Sequence, residues 1–553
     1  MRIVIVGGVA AGMSAAARAR RLDEDAEIIV FERGAYVSFA NCGLPYFVGG
    51  EIEEEGSLLL QTPESLRDAL NIDVRIHHEV IGLDAESRTV TVRHPLGEEV
   101  VRYDAVILAP GATALRPPID GLDSPRVRTL RTIDDARALR DAVVNGAHKA
   151  VVLGAGFIGL EAAEALRIQG LEVDIVEFAP HVLPPLETEM AALVTAELRN
   201  LGISVNDGIA AQAVVAGVDR DTVVLSDGRT IAADLIVLSV GVRPDTAVFE
   251  ASGVHCERGA IVVDEHGRTN LPQVYAAGDA VASRDVVTQI QRPVALAGPA
   301  NRAGRLIADH IFRQEEAHPI PSPVGTAIVR VGRLTAAMTG ANRSSLAGAG
   351  IDFQTLHLHP AQHAGYFPGA EPMSIVVHMR RTDGLLLGAQ AVGPSGVDKR
   401  IDVLATAIRA GFTVADLVDL DLAYAPMYGS AKDPVNMAGM IGMNVLDGTL
   451  PLWYAEQWAS LRDQVLVLDV RSRAEYESGH LPDAVNVPHT ELRSRLTEVR
   501  HMAAGRPVRV LCASGVRSHI ANRILQQDGF DSASLSGGML TLRGVLGEHL
   551  LVT

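Results

Sequence analysis

Short apolar runs that end in glycine, each leading into a stretch rich in small residues, recur along the first half of the chain. RIVIV (2–6) reads as a β-strand, GGVAAG as a turn and MSAAARARRL as a helix, after which AEIIVFER supplies a second strand ending at Glu32. The same order returns in KAVVLGAGFIGLEAAEALRIQGLEVDIVEFA (149–179), whose second strand closes at Glu177. YDAVILAPGAT (103–113), ADLIVLSVGVRPD (233–245) and NLPQVYAAGDAVA (270–282) are further strand-then-glycine segments. After residue 459 a new α/β pattern begins, with the apolar runs QVLVLDV and VRVLC.

Strand, glycine turn, helix and strand make a βαβ unit, in which a phosphate sits at the helix N-terminus, where backbone N–H groups and the helix dipole favour an anion. The first loop departs from G-x-G-x-x-G: Gly7 and Gly12 are present, but Val9 takes the middle position. The second keeps the full pattern in Gly154, Gly156 and Gly159. Glu32 and Glu177 are each placed to accept from ribose hydroxyls. A carboxylate at Glu177 accepts from a free 2′-OH and repels a 2′-phosphate, which favours NADH over NADPH.

Composition narrows the partners. Forty-nine basic against 67 acidic residues leave a net charge of −18, which argues against nucleic acid and anionic membrane as bulk partners. Hydrophobic residues make up 48% of the 553, ample for several cores, and no uncharged run of about eighteen apolar residues suggests a membrane span. The first twenty-two residues resemble a signal peptide only superficially. Their glycines and Arg18, Arg20 and Arg21 fit a strand-turn-helix better. Three cysteines, Cys42, Cys256 and Cys512, are no disulfide framework and fit a reducing, cytoplasmic setting.

Taken in order, the glycine-ended segments resemble those of two-dinucleotide flavoproteins. The resemblance implies a glutathione-reductase-like α/β chain with two Rossmann-like domains. FAD would bind through Gly7, Gly12, Glu32 and Asp279 in a domain formed by 1–112 and 266–318; NADH would bind through Gly154, Gly156, Gly159, Glu177 and Gly241 in an inserted domain, 113–265. VSFANCGLPYFVGG (37–50) is similar to the active-site segment of the single-cysteine members of the pyridine nucleotide-disulfide oxidoreductases: coenzyme A disulfide reductases, NADH oxidases and NADH peroxidases. The second cysteine of the dithiol enzymes falls here on Phe47. Cys42 must therefore pair with something external, as a mixed disulfide with a small thiol or as a sulfenic acid. The helix N-terminus and flavin beside it imply a depressed thiol pKa. Cys256 has no motif around it and reads as inert.

In the coenzyme A branch, matching positions imply contacts from Ser14, Arg18, Arg21, Ser38, Asn41, Asn301 and Lys432, with coenzyme A either a tightly held carrier or a product. Residues 319–445 resemble the family's α+β dimerisation domain. HAGYFPGA and YAPMYGSAKDPVNMAG match the segments that send tyrosines, here Tyr366 and Tyr424, into the partner subunit's site; Tyr428 reads as packing. The implied assembly is a homodimer with shared active sites. His357, His359 and His363 in HLHPAQH lack the carboxylate or cysteine company of a metal site, and no metal is expected.

After a linker at 446–458, residues 459–553 resemble a rhodanese domain: Asp469, Arg471, Glu475, GHLPDAVNVP, then Cys512 ending a strand and a late glycine pair in LSGGML. Backbone N–H groups from Cys512 to Arg517, capped by the guanidinium, would favour a thiolate and a bound persulfide. Four residues, Ala513 to Val516, separate Cys512 from Arg517; phosphatases on this fold have one more, so sulfur transfer is favoured over phosphate chemistry.

Together these features resemble rhodanese-fused coenzyme A disulfide reductases, also described as NADH-dependent persulfide or polysulfide reductases. The implied function is NADH-dependent, FAD-mediated reduction of persulfide S–S bonds at Cys42 with release of hydrogen sulfide, Cys512 carrying sulfane sulfur. Plain coenzyme A disulfide reduction, or oxidase or peroxidase activity with a peripheral rhodanese, is the alternative within the class. A redox-sensing scaffold is the alternative outside it.

Overall fold

The computed structural model describes the chain from Met1 to Thr553, apart from the side chain of Glu315. It divides into two compact units: Met1–Pro180 with Leu201–Gly325, and His181–Asn200 with Thr326–Thr553.

The first unit holds two five-stranded parallel sheets built alike. One runs Val274–Ala276, Ala105–Leu108, Arg2–Val6, Glu27–Glu32, Asp73–Ile76; the other Ile203–Asn206, Glu172–Val176, Lys149–Leu153, Leu235–Leu238, Val127–Arg128. In each, the strand that leads into the glycine turn is central and buried, and a helix follows at once, Ala10–Leu22 or Phe157–Ile168. Close approach of helix to turn explains the third glycine. A Cβ on Gly12 would stand 1.9 Å from the Gly7 carbonyl oxygen, and one on Gly159 would stand 2.1 Å from that of Gly154. The opening segment is thus a core strand and helix. The helix Ala297–Arg313 packs on Ala10–Leu22 through Gly304, whose Cβ would lie 2.0 Å from the Ala11 carbonyl oxygen.

The second unit combines an antiparallel sheet with a parallel one. The antiparallel order is Ala327–Val331, Leu334–Gly340, Leu386–Gly393, Ser374–Arg380, Phe353–Leu358; helices Val397–Ala410 and Pro434–Leu446 belong to the same unit. The parallel order is Leu452–Trp453, Ser532–Leu535, Val508–Leu511, Leu466–Asp469, Val485–Asn486. These architectures match the α/β and α+β classes read from the sequence. Two details were not legible there. Helix Thr188–Asn200, from the middle of the expected nicotinamide domain, belongs to this unit and packs against Gly538–Leu546, where a Cβ on Gly544 would lie 3.0 Å from the Glu189 Cα. Within the expected linker, Leu452–Trp453 is an edge strand, and Trp453 and Trp458 are core residues, the Trp453 indole donating to the Val510 carbonyl at 3.2 Å.

His357, His359 and His363 do not converge. His359 hydrogen bonds with Ser374 at 2.9 Å and Thr541 at 3.0 Å, whereas His363 pairs with the Ala364 carbonyl and stacks edge-on against Phe367. Among the described residues no cluster of three or more metal-ligating side chains occurs, and no helix is long and apolar enough to cross a membrane. Burial, then the neighbouring His357, pushes His359 down from 6.5 to about 4. The folded chain therefore refuses a proton that the unfolded chain accepts below pH 6.5. Stability from this site is intact above that pH, falls by about 1.4 kcal/mol per pH unit on acidification, and levels off below pH 4. Denaturant unfolding of wild type and His359→Asn should diverge across this window, the wild type showing the steeper loss.

Candidate active sites

At the two dinucleotide turns the carboxylates do the same thing. Glu32 accepts from the Gly8 N–H at 2.8 Å and the Gly34 N–H at 2.7 Å; Glu177 accepts from the Ala155 N–H at 2.6 Å and the Ala179 N–H at 2.7 Å. Each braces its glycine turn against the end of the neighbouring strand and keeps lone pairs for a ribose. Gly7 and Gly154 both have φ of +99°, which excludes a side chain, whereas Val9 caps its helix at φ −116° and needs no glycine. A Cβ on Gly156, Gly241 or Gly111 would meet no atom within 4 Å, so the backbone at those turns is open to close approach by a ligand. Asp279 is half-buried beside the Arg131 guanidinium at 3.9 Å, and burial, only partly offset by that arginine, raises its carboxyl pKa. These cradles fit two dinucleotides.

Cys42 lies in the turn Asn41–Gly43, exposed, just ahead of the short helix Leu44–Val48. That helix packs on Phe157–Ile168 at Gly49, where a Cβ would lie 3.3 Å from the Ala165 Cα, and Gln169 donates to the Gly49 carbonyl at 2.6 Å. The cysteine turn is thus fixed to the helix that follows the second glycine turn. Phe47, in the place of a second cysteine, is buried beneath the Arg140 guanidinium. The chain's own groups raise the Cys42 pKa, through partial burial first and then the carboxylates of Glu161 and Asp279. A helix of five residues carries too little dipole to reverse them.

The residues expected at coenzyme A are treated differently. Ser14 donates to Asn301 Oδ1 at 2.6 Å, joining two of them across most of the unit's sequence. Arg18 is committed to Asp309, at 2.5 and 2.8 Å, and its charge is largely spent there. Arg21, Asn41 and Lys432 are exposed, and Ser38 has φ +48° with its N–H on the Gly8 carbonyl at 2.7 Å. In the second unit the Tyr366 and Tyr424 hydroxyls share a 2.9 Å hydrogen bond, which raises the Tyr366 pKa, and both rings are exposed. Buried Arg400 ties their loops together: it donates to Asp433 at 2.8 Å and to the Gln362 carbonyl at 2.9 Å, while the Ala364 N–H donates to the Gly429 carbonyl. Tyr428 is exposed, not packed.

Cys512 follows the central strand of its parallel sheet, the end at which such sheets bind ligands. It is 1% exposed. The Gly515 N–H donates to its sulfur at 3.2 Å, and Gly515, at φ +100°, turns the loop into helix Val516–Gln527. The thiol donates to Ser518 Oγ at 3.4 Å, which in turn donates to the Gly515 carbonyl and meets Ser534 Oγ at 2.9 Å. Ser518 escaped the sequence reading; its only signal is its place directly after Arg517. Arg517 makes two bonds to Glu475, at 2.6 and 2.7 Å, and these hold the Glu475 carboxyl at about 2. The third thiol, Cys256, sits in an edge strand with no catalytic company.

This pairing of braced dinucleotide turns with one exposed thiol has matches among known proteins. The pyridine nucleotide-disulphide oxidoreductase family model matches residues 1–304, the dimerisation-domain model of the same family 326–434, and the rhodanese-like domain model 454–542. The chain belongs to the pyridine nucleotide-disulphide oxidoreductases: it is an oxidoreductase of a family whose chemistry uses FAD and NAD(H), and it carries that family's dimerisation domain and a rhodanese domain. Coenzyme A disulfide reductase of Staphylococcus epidermidis is 34% identical over 444 residues, 79% of this chain and 99% of that protein. Reduced Bacillus anthracis CoADR-RHD is 38% identical at a TM-score of 0.96, over 100% of this chain and 99% of its own. A NAD-dependent persulfide reductase from A. fulgidus is 36% identical at a TM-score of 0.91, over 98% of this chain and 100% of its own.

The glycine geometry separates two substitutions. Gly12→Ala collides with backbone and should yield protein that loses its flavin on gel filtration. Gly156→Ala meets open space, so it should keep its flavin and fold while raising the KM for NADH about tenfold by pushing the backbone off the pyrophosphate.

Proposed function

We propose that this chain is an NADH-dependent persulfide reductase acting on coenzyme A persulfide and related polysulfides. The observation that carries this reading is the isolation of Cys42: no second thiol accompanies it, and Phe47 fills the place where one would stand. The S–S bond it acts on must come from outside, and a chain that also holds Cys512 in a cradle of N–H and hydroxyl groups has a source of sulfane sulfur.

In this reading the Cys42 thiolate attacks the S–S bond of R–S–SH, forming Cys42–S–SH and releasing R–S⁻. Two electrons then give the Cys42 thiolate and HS⁻. FAD, held by the Gly7–Gly12 turn, Glu32 and Asp279, supplies those electrons from NADH when bound. Ser14 and Asn301, already joined, and the free charge of Arg21 would receive coenzyme A, with Arg18 a lesser contributor because of Asp309. The Tyr366–Tyr424 pair, entering from a second copy of the chain in a homodimer, would donate a hydrogen bond to the departing thiolate. Because the chain's own carboxylates disfavour the Cys42 thiolate, the ligands must supply part of its stabilisation. At the other thiol, Arg517 and Glu475 fix one wall of the cradle in which Cys512 would hold a persulfide. The name borne by the staphylococcal relatives supports a second reading, coenzyme A disulfide reduction with a peripheral rhodanese.

Anaerobic NADH consumption and sulfide release, followed with coenzyme A persulfide and with coenzyme A disulfide, separate the two. Under the persulfide reading the persulfide is the better substrate, sulfide appears, and Cys42→Ser abolishes turnover of both. A faster disulfide rate, with Cys512→Ser changing nothing toward any sulfur donor, would instead establish the second. Glu177 is expected to set the nucleotide preference. Its replacement by Ala should bring the NADH and NADPH efficiencies closer by about tenfold or more, read as the ratio of kcat/KM values.

A further inference from the structure

The rhodanese cysteine loop does not stand on its own domain alone. Opposite it lies the turn Ser536–Gly537–Gly538, which opens helix Gly538–Leu546. The Met539 N–H donates to the Cys512 carbonyl at 2.8 Å, and the Leu540 N–H to that of Ala513 at 3.0 Å. Contact is tight enough that a Cβ on Gly538 would stand 2.5 Å from the Cys512 carbonyl oxygen. Whatever fixes this turn therefore fixes the floor of the loop in which the Cys512 sulfur accepts its hydrogen bond from Gly515.

What fixes it comes from the antiparallel sheet. His357, on the strand Phe353–Leu358, hydrogen bonds through Nδ1 to Ser536 Oγ at 2.7 Å and through Nε2 to Glu189 Oε1 at 2.8 Å. A Cβ on Gly537, at φ +70°, would lie 2.7 Å from the His357 Cβ. Two residues along the same strand edge, His359 reaches Thr541 in the first turn of the helix. Glu189 is buried; burial pushes its carboxyl up, but the hydrogen bond to His357 and the charge of Arg343 outweigh this and hold it at about 2. Arg343 is itself paired with Glu189 and with Glu456. A charged residue backing a histidine that aims its other nitrogen at a serine is an expensive arrangement to bury unless its geometry is used.

We propose that His357, oriented by Glu189, is a positioning residue for the rhodanese reaction: through Ser536 it holds the Gly537–Gly538 turn under the Cys512 loop, so that sulfur transfer depends on a residue outside the rhodanese domain. The inference rests on the reading of Cys512 as a sulfur carrier. In that reaction the Cys512 thiolate takes the outer sulfur of thiosulfate, forming Cys512–S–S⁻ and releasing sulfite. Cyanide then removes that sulfur as thiocyanate and restores the thiolate.

The test uses the full-length flavoprotein with thiosulfate as donor and cyanide as acceptor. His357→Leu and Ser536→Ala should each lower kcat for thiocyanate formation about tenfold or more, with KM for thiosulfate changed less than about twofold, because alignment and not binding is lost. His357→Asn, whose amide nitrogen can stand where Nδ1 stood, should recover most of the rate. All three should retain NADH-dependent reduction of coenzyme A disulfide. Hydrogen exchange at residues 512–517 supplies a readout free of sulfur chemistry: faster in His357→Leu and Ser536→Ala, restored in His357→Asn, and unchanged in the first unit. Full transfer rates in Ser536→Ala, or exchange at 512–517 identical to wild type in both disruptive variants, would overturn the proposal. Equal rate losses in His357→Leu and His357→Asn would overturn it too, as bulk destabilisation. If wild type transfers no sulfur to cyanide, the carrier role of Cys512 falls, and the exchange data alone decide whether His357 holds the loop.

Discussion

The constraint on which the dinucleotide turns of the first unit depend is the approach of a helix to the turn that precedes it. At Gly12 and at Gly159 the carbonyl oxygen of the first glycine of the turn occupies the space a β-carbon would need. With a side chain there the helix would swing away, its N-terminal N–H groups would miss the phosphates, and the brace between Glu32 or Glu177 and the turn would open. The positions of Glu32 and Glu177 against their turns depend on that one fit. Its repetition in two sheets explains how one chain can present two dinucleotide sites with the same local chemistry.

Features carried by short stretches of sequence were legible in advance. Gly154, Gly156, Gly159 and Glu177 lie within one βαβ unit, and the Cys512-to-Arg517 loop lies within one turn, so spacing alone exposes them. Even Val9, which broke the pattern, does no harm, because its φ of −116° is not the left-handed kind that calls for glycine. Features made by distant residues were not legible. No local signal says that Asp309 will claim Arg18, that Asn301 will meet Ser14, or that helix Thr188–Asn200 will leave the nicotinamide region for the other unit. Nor does any local signal say that Glu161 and Asp279, remote in sequence and near in space, will join partial burial in pushing the Cys42 pKa up.

The two thiols are prepared in opposite ways. Cys42 is exposed among carboxylates and is left for its ligands to activate. Cys512 is buried among donors, with the loop, Ser518 and the Arg517–Glu475 pair built around it. An exposed thiol whose surroundings disfavour its ionised form is less open to idle oxidation, and an enclosed one can hold a reactive sulfur atom away from solvent. The division suits a chain that must both store and cleave sulfur–sulfur bonds.

Helix Thr188–Asn200 also sets an order of events at the ribosome. Its buried face, Met190, Val194 and Leu198, emerges before any strand of the antiparallel sheet and long before Gly538–Leu546. At ordinary synthesis rates that is a wait on the order of ten seconds or more. The nascent chain cannot complete the second of these covers until Gly538–Leu546 is made. Removing the segment from Gly538 to Leu546 would therefore expose a surface in the middle of the protein, and the rhodanese domain is no passive appendage.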